Sequence, residues 1–273
     1  MIRAVRHAPL YLLLIIGAVL SIVPFLWMII SSTHLTRDLF ASPLPLLPGG
    51  ELWSNLARLQ QETGFGLVML NSLGVAIVYT VFSGIVSIMC GYGLAKFRFR
   101  ARGMLLGLVL VTMMIPMQVL LVPLFQMMAS LGWIDSFQAL IVPFLANAFG
   151  IFLMRQAFLD FPDTLLEASR IDGAGEFRTF YGIVIPVARP QIAALIIYTF
   201  VSQWNSFIWP LLMLNTEDKY TIPVALNTMI GLSHVDYSGL MLGSLLATLP
   251  LLILFVAFQK QFISGLLGGA VKG

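Results

Sequence analysis

The sequence predicts an all-α membrane protein with six transmembrane helices, and three observations carry that prediction. Of its 273 residues, 59% are hydrophobic and only 10% are charged, whereas a soluble domain has about 25% charged residues. The apolar residues gather in six runs of about the length that crosses a bilayer as a helix. The Lys and Arg residues gather in alternate segments between these runs. We therefore expect one transmembrane domain over residues 1–273.

The first apolar run follows a short basic segment with Arg3 and Arg6, as in a secretory signal. It is longer than a signal core of about 7–15 residues and no cleavage motif follows, so we expect it to be retained as a span. The third run contains Pro116 and Pro123, which are expected to kink it. The predicted spans are 10–30, 67–95, 103–129, 137–158, 191–214 and 238–258.

The distribution of positive charge predicts the orientation. Six spans place both termini on one side of the membrane. If that side is the cytoplasm, twelve of the fifteen Lys and Arg residues lie in cytoplasmic segments, and only Arg37, Arg58 and Lys219 lie outside. The positive-inside rule favours this arrangement. It makes the basic run 96–102 a topology anchor next to anionic lipid and the loop 159–190 cytoplasmic.

The loop between the fourth and fifth spans reads as two short helices joined at a glycine. Pro162 and Asp163 suit the start of the first helix. Gly173 suits its end, because glycine tolerates the left-handed conformation there. Apolar residues then recur at the spacing i, i+3, i+4, i+7, namely Phe177, Phe180, Tyr181 and Val184. This stripe packs on the protein's own spans, on a partner, or on both. An ordered amphipathic loop of this kind predicts a docking surface.

The sequence shows no equipment for catalysis. None of its four lysines follows a glycine, so there is no P-loop. Its three histidines are isolated and it has a single cysteine, which leaves no metal cluster and no disulfide. Apart from Arg155 near the end of the fourth span, the spans contain no ionisable Asp, Glu, Lys, Arg or His, which argues against an ion-coupled carrier. We expect a chain that is not an enzyme, that holds no cofactor or metal, and that does not bind nucleic acid.

Five amide side chains are predicted at membrane depth, where they either bond between helices or line a solute path. Asn205, flanked by Trp204 and Trp209, is the strongest candidate for a path residue, because aromatic faces and an amide together suit a sugar. The five are Asn71, Gln118, Asn147, Gln203 and Asn205.

The loop also carries a spaced motif. Glu167-Ala168-Ser169 is followed after three residues by Gly173 and after nine more by Ile183, with Pro186 three positions later. This pattern resembles the EAA signature of permease subunits of bacterial ABC importers, with Ser169 in place of Ala and Ile185 in place of Leu. The resemblance implies that the loop couples the chain to ATPases, through Glu167, Ala168, Ser169, Gly173, Phe177, Ile183 and Pro186.

Three further segments are similar to the carbohydrate-uptake branch of that family, including maltose and glycerol-3-phosphate permeases. They are residues 204–210, residues 220–224, and the tail from Gln259 through Phe262 and Gly265 to Gly273. The resemblance implies a second homologous permease, two ATPase subunits that bind ATP and Mg²⁺, an extracytoplasmic solute-binding protein, membrane lipid and a bacterial inner membrane. The alternative is a carrier or channel for a small polar solute that does not use ATP.

Overall fold

The computed structural model describes residues 2–230 and 235–270, with side chains described for residues 10–230 and 235–259. Across these ranges the chain is helical, and its one described strand pairing is an isolated bridge between Ile230 and Val235. Shorter 3₁₀ turns cover Asp38–Phe40, Val142–Phe144 and Glu217–Lys219. The α-helices are α1 Ile2–Ser32, α2 Leu52–Thr63, α3 Phe65–Lys96, α4 Arg102–Met114, α5 Met117–Ser130, α6 Phe137–Ile141, α7 Ala148–Leu159, α8 Asp163–Ile171, α9 Glu176–Thr179, α10 Ile185–Val187, α11 Arg189–Trp204, α12 Ile208–Met213, α13 Ile222–Thr228 and α14 Tyr237–Ala270.

Three described stretches are each long and apolar enough to cross a membrane alone: Leu10–Ser32, Phe65–Lys96 and Tyr237–Gln259. Three further helix pairs reach that length only together, because each bends at a short break. The pairs are Arg102–Met114 with Met117–Ser130 (102°), Phe137–Phe144 with Ala148–Leu159 (41°), and Glu176–Val187 with Arg189–Trp204 (78°). By length and composition the described chain has three spans, or up to six if each bent pair is one span.

The predicted third span, 103–129, is two helices and not one. The break lies at Ile115 and Pro116, where Ile115 is extended with ψ 116°. A residue before proline is pushed out of the helical region, and proline itself cannot donate a helix hydrogen bond. Pro123, by contrast, lies inside α5.

The predicted fifth span, 191–214, is also divided. Helix α11 ends at Trp204 and α12 begins at Ile208, with Asn205–Phe207 between them. Pro210 explains the break, because its nitrogen cannot donate to the Ser206 carbonyl four residues earlier and its ring would clash with that carbonyl. The backbone here closes with a tighter turn, in which the Ser206 amide donates to the Gln203 carbonyl at 3.1 Å.

The described chain divides into two compact units, Met1–Met69 with Ile222–Pro250, and Leu70–Thr221 with Leu251–Gly273. In the first unit the core is apolar and comes from α2, the start of α3, the end of the 222–230 segment and α14. Its buried members are Leu59, Phe65, Met229 and Leu242.

The second unit has two hydrophobic clusters. One joins α3, α7, α11 and the loop after α7, and includes Tyr92, Met154, Phe158, Phe161, Leu166, Phe180, Val184 and Leu195. The other joins α3, α5, α6 and α12, and includes Val75, Met128, Ala139, Leu140, Trp209, Met213 and Leu214. The first cluster attaches the 159–190 loop to the helices beneath it.

Small residues let α3 and α7 approach closely in the second unit. A methyl group on Gly91 would lie 2.7 Å from Met154 Cβ and 2.8 Å from the Arg155 backbone nitrogen. One on Gly150 would lie 2.6 Å from Ser87 Oγ. Ser87 and Gly91 are four residues apart on one face of α3, the spacing that membrane helices use for close packing.

Asp135 fixes the turn after α5 to the chain that follows α12. It adopts a left-handed conformation with φ 58°, which Asp tolerates better than most residues. Its carboxylate accepts hydrogen bonds from the amides of Asn215 (2.9 Å) and Thr216 (3.1 Å) and from Lys219 Nζ (2.8 Å). The lysine hydrogen bond, followed by those from Thr216 and Asn215, holds the pKa of Asp135 well below its usual value.

Candidate functional site

The 159–190 loop begins with helix α8, whose C-terminal end is closed by a sharp turn at a glycine. Helix α8 starts after Pro162, and Gly173 follows its end with φ +76°. The Ala174 amide donates to the Ser169 carbonyl at 3.0 Å, and the Gly173 amide donates to the Arg170 carbonyl at 3.1 Å. This pair of bonds is the Schellman motif, which needs a left-handed residue at the glycine position. The turn directs the chain from α8 into α9.

Two side-chain contacts fix α8 against α9. Ser169 Oγ and Thr179 Oγ1 are 2.6 Å apart and both side chains are buried. On the outer side, Arg170 bonds Glu176 Oε1 through Nη2 at 2.8 Å and Nε at 3.1 Å. Ser169 occupies the position where the signature has Ala, so the replacement adds a buried hydrogen bond. The two helices are thereby held as one body.

Lys96, the last residue of α3, holds the start of α8. Its Nζ donates to the Phe161 carbonyl at 2.7 Å and to Asp163 Oδ1 at 2.6 Å. The Lys96 side chain is only 9% exposed, whereas that of Asp163 is 74% exposed. The lysine's hydrogen bond and charge hold the pKa of Asp163 below its usual value. Lys96 is therefore a structural contact of the loop as well as part of the basic run, while Arg98 and Arg100 are exposed.

The apolar stripe of the loop is divided between two surroundings. Phe180 and Val184 are buried in the first cluster of the second unit, where the ring centroids of Phe180 and Tyr92 are 4.9 Å apart. Phe177 and Tyr181 are 78% and 63% exposed. The helix widens to a π turn over Phe180–Val184. Half of the stripe thus packs on the protein, and half faces outward.

The other residues named from the motif occupy different positions in the loop. Glu167 and Ala168 are exposed on α8, beside Ile171, which is 86% exposed. Ile183 packs partly against the core cluster, and Pro186 is half-buried in α10, just before the 78° bend into α11. Glu167, Ala168 and Phe177 can reach a partner, whereas Ser169 and Ile183 support the loop from within.

A second feature is a polar cavity of about 500 Å³ in the second unit. Four of the five amides predicted at membrane depth line it, and none of the side chains that line it is charged. The fifth amide, Asn71, lies elsewhere and donates to the carbonyls of Asp218 and Tyr220. The lining residues are Tyr79, Met117, Gln118, Leu121, Phe144, Asn147, Ser202, Gln203, Asn205, Ser206, Phe207, Ile208 and Trp209.

Asn205 and Trp209 both line this cavity, but Trp204 does not. Asn205 is exposed, and its Nδ2 donates to the Val201 carbonyl at 3.0 Å. Trp209 is buried and its Nε1 donates to the Ala139 carbonyl at 2.9 Å. Trp204 is buried and stacks on the Phe200 ring at 5.6 Å. Asn205 therefore shares the cavity wall with one indole, that of Trp209, and not with two.

Three further polar residues line the cavity that were not predicted from the sequence: Tyr79, Ser202 and Ser206. Ser202, Gln203 and Ser206 are spaced i, i+1, i+4, so a helical pattern of polar residues could have found both serines. Tyr79 accepts a hydrogen bond from Asn147 Nδ2 at 3.1 Å. Nothing in the local sequence distinguishes this tyrosine from a core residue.

Comparisons with known proteins identify the family. Residues 83–267 match the model of the binding-protein-dependent transport system inner membrane component. The chain is 36% identical over 258 residues to the lactose transport system permease protein LacG of Rhizobium radiobacter, covering 94% of each chain. It is 34% identical over 264 residues to the sn-glycerol-3-phosphate transport system permease protein UgpE of Yersinia pestis, again covering 94% of each. With the arabinooligosaccharides transport system permease protein AraQ of Bacillus subtilis it shares 40% identity over 203 residues, 74% of this chain and 72% of the relative.

A solved structure supports the same assignment. A bacterial ABC transporter involved in the import of the acidic polysaccharide alginate has a chain with TM-score 0.79 and 25% identity, covering 95% of this chain and 97% of that one. The predicted helical membrane fold and the resemblance to ABC importer permeases are confirmed. Apart from Gln259, the tail segment that contributed to the resemblance lies outside the described side chains. The chain belongs to the family of binding-protein-dependent transport system inner membrane components, which are non-catalytic, multi-pass subunits of bacterial ABC importers.

Proposed function

We propose that this chain forms half of the translocation path of an ATP-driven importer for a sugar or sugar-like solute, and that residues 162–190 couple it to partner ATPases. The carrying observation is the division of the loop into a buried face and an exposed apolar face. Ile171, Phe177 and Tyr181 are 86%, 78% and 63% exposed. Large apolar side chains exposed on a surface usually mark an interaction site.

The loop is suited to transmit a displacement. Its two helices are joined by the Ser169–Thr179 and Arg170–Glu176 contacts, and its start is attached to α3 by Lys96. A partner that moves α8 would therefore move α9 and the end of α3 with it. We propose that closure of two ATPase subunits, which hold ATP and Mg²⁺, moves this loop and switches the helices between inward-facing and outward-facing states.

We propose that the polar cavity is the part of the solute path that this chain supplies. Its amides and hydroxyls can donate and accept hydrogen bonds, and the faces of Phe144, Phe207 and Trp209 are apolar. This combination suits a polyhydroxylated solute, and the names of the relatives include lactose and arabinooligosaccharides. A second homologous permease would supply the other half of the path, and an extracytoplasmic solute-binding protein would deliver the solute.

The proposal is tested with a matched pair of substitutions at Gly173. The site has open space, because a methyl group there would meet no atom within 4 Å, so the cost of a side chain is conformational. Gly173→Val forces a β-branched residue into the left-handed region, at a cost of about 1–2 kcal/mol or more. Gly173→Asn adds a side chain that tolerates this region. We expect the valine variant to lose ATPase binding and uptake and the asparagine variant to keep most of both.

The measurements are the amount of ATPase subunit that co-purifies with the chain and solute uptake in cells, at equal amounts of chain in the membrane. If the valine variant retained a full complement of ATPase and normal uptake, the loop would not be the coupling element. If no P-loop protein co-purified with the unmodified chain, the importer proposal would fail, and a carrier or channel that does not use ATP would be the better interpretation.

A further inference from the structure

An exposed apolar segment between α1 and α2 has no part in the function proposed above. From Leu39 to Gly50 the sequence contains no charged residue, and Ser42 is its only polar side chain. Four of its large side chains are mostly exposed: Phe40 at 68%, Leu44 at 57%, Leu46 at 73% and Leu47 at 78%. Trp53, in the first turn of α2, is 75% exposed. We call residues 39–50 the apolar loop.

The apolar loop is attached to the end of α1. The Gly49 amide donates to Thr33 Oγ1 at 2.7 Å, and the Glu51 amide donates to the Thr33 carbonyl at 2.9 Å. His34 Nε2 donates to the Leu47 carbonyl at 2.9 Å. The C-terminal half of the apolar loop is therefore held within hydrogen-bond distance of residues 33–34, which directly follow the last residue of α1.

The apolar loop and its surroundings are also attached to the start of α14. The Phe40 ring packs edge-on against Tyr237, the first residue of α14, with centroids 5.2 Å apart. Thr36 Oγ1 donates to Asp236 Oδ1 at 2.7 Å, and Arg58 Nε donates to Asp236 Oδ2 at 2.9 Å. Burial raises the pKa of Asp236, but the hydrogen bonds from Thr36, Gly239 and Arg58 outweigh it, and the pKa lies below its usual value. Asp236 is thus a charged anchor for the segment.

These attachments fix the depth of the apolar loop in a membrane. The apolar part of α1, Leu10–Ser32, has 23 residues and is about 35 Å long, close to the hydrocarbon thickness of about 30 Å. Its C-terminal end and the N-terminal end of Tyr237–Gln259 both contact the same segment. Two span ends that meet one short loop lie at the same membrane surface, so the loop lies at that surface too.

Three prolines reduce the number of backbone donors in the apolar loop. Pro43, Pro45 and Pro48 have no amide hydrogen that would need a partner. The amides of Ala41 and Gly49 are bonded within the protein. An unpaired backbone donor is costly in an apolar medium, so the three prolines and the two bonded amides lower the number of donors that must lose water.

From this geometry we propose that the apolar loop inserts Leu44, Leu46 and Leu47, with Trp53 beside them, into the lipid leaflet at which α1 ends. The occupant of the exposed face is the interfacial region of the bilayer, where Trp and aliphatic side chains anchor a protein surface. The loop would set the height of α1 and α14 in the membrane, independently of the ATPase-coupling loop.

The test uses spin labels on the assembled transporter in vesicles of phosphatidylethanolamine and phosphatidylglycerol. Single cysteines replace Leu46 or Leu47, with Cys90→Ser in this chain and cysteine-free partner subunits. Gln61→Cys is the matched control, because Gln61 is exposed on the polar face of the neighbouring α2. Collisions with oxygen, which concentrates in lipid, are compared with collisions with a water-soluble nickel chelate.

We expect the labels at 46 and 47 to collide with oxygen in preference to the nickel chelate, and the label at 61 to show the reverse. Equal access of the nickel chelate to 46, 47 and 61 would overturn the proposal, because the loop would then lie in water. Low access of both reagents at 46 and 47 would also overturn it, since a protein subunit would then cover the face.

Discussion

Lys96 has two roles, one in the charge pattern of the sequence and one in the packing of the 159–190 loop. In the sequence it opens a basic run that predicts membrane topology. In the structure its side chain is 9% exposed and bonds both the Phe161 carbonyl and Asp163. An ion pair whose carboxylate is exposed to solvent is screened by water and salt and contributes little to stability. The importance of Lys96 therefore lies in position, because it connects the end of α3 to the start of α8.

We predict that Lys96→Met lowers the solute transported per ATP hydrolysed while the chain still inserts and assembles. The substitution keeps much of the apolar stem but removes both hydrogen bonds that hold α8, so motion of the loop is transmitted less faithfully. Arg98→Gln is the control, since it removes an exposed charge from the same basic run. The ratio of uptake to ATP hydrolysis in proteoliposomes measures the effect. Equal ratios in the two variants would reduce Lys96 to a topology anchor.

The cavity residues are predicted to separate by role. Asn205 is exposed and Asn205→Ala should raise the KM for uptake without changing assembly. Trp209→Phe leaves the buried Ala139 carbonyl without its donor, which costs about 1–3 kcal/mol, and should lower the melting temperature. Asn71→Ala serves as the control amide, because Asn71 bonds two loop carbonyls away from the cavity. An unchanged KM in Asn205→Ala would remove Asn205 from the solute path.

At the scale of elements, the close approach of α3 and α7 gives a prediction on packing. A methyl group on Gly91 meets the backbone of α7, which cannot rotate away. We expect Gly91→Ala to destabilise the second unit by about 1–3 kcal/mol, the usual cost of overpacking. Gly84→Ala, on the same helix, meets nothing within 4 Å and should be neutral or slightly stabilising. Thermal unfolding in detergent compares the two, and equal melting temperatures would contradict the tight contact.

The elements that the sequence predicts well are those decided by local composition. The second predicted span, 67–95, corresponds to a single helix, Phe65–Lys96, because its apolar residues are uninterrupted by proline. Two spans that contain proline divide, one at Pro116 and the other before Pro210, whereas Pro24 in α1 and Pro250 in α14 lie inside unbroken helices. Pro123 lies within a continuous helix, so the surroundings decide which proline ends a helix.

The same limit applies to the candidate site. The left-handed Gly173 follows from its position after a helix, and the structure gives φ +76°. The division of the apolar stripe into a buried and an exposed half could not be predicted from the sequence. The burial of Phe180 and the exposure of Phe177 depend on where Tyr92 and Phe158 lie. Helix α2 was not predicted, because the 31–66 segment is rich in Pro and Gly.

At the scale of the whole molecule, orientation in the membrane combines charge with helix length. Helix α3 has 32 residues and is about 48 Å long, so its two ends are expected on opposite sides of the bilayer. Gln61 lies four residues before it and Arg100 four residues after it, and both are exposed. The basic run that follows α3 predicts that Arg100 is cytoplasmic, because Lys and Arg near span ends are retained on that side.

We therefore predict that a cysteine at position 61 reacts with a membrane-impermeant maleimide added to intact spheroplasts, whereas one at position 100 reacts only after the membrane is permeabilised. Cys90→Ala provides the background, and the label is detected on the isolated chain. The reverse pattern would keep α3 as a span but invert the molecule, which would put the loop 159–190 on the outer surface and remove it from any cytoplasmic ATPase. Labelling of both positions from outside would mean that α3 does not cross the membrane, and the charge distribution would then need another explanation. Labelling of position 61 alone supports both the orientation and the proposed coupling, because it places α8 and α9 on the side where ATP is available.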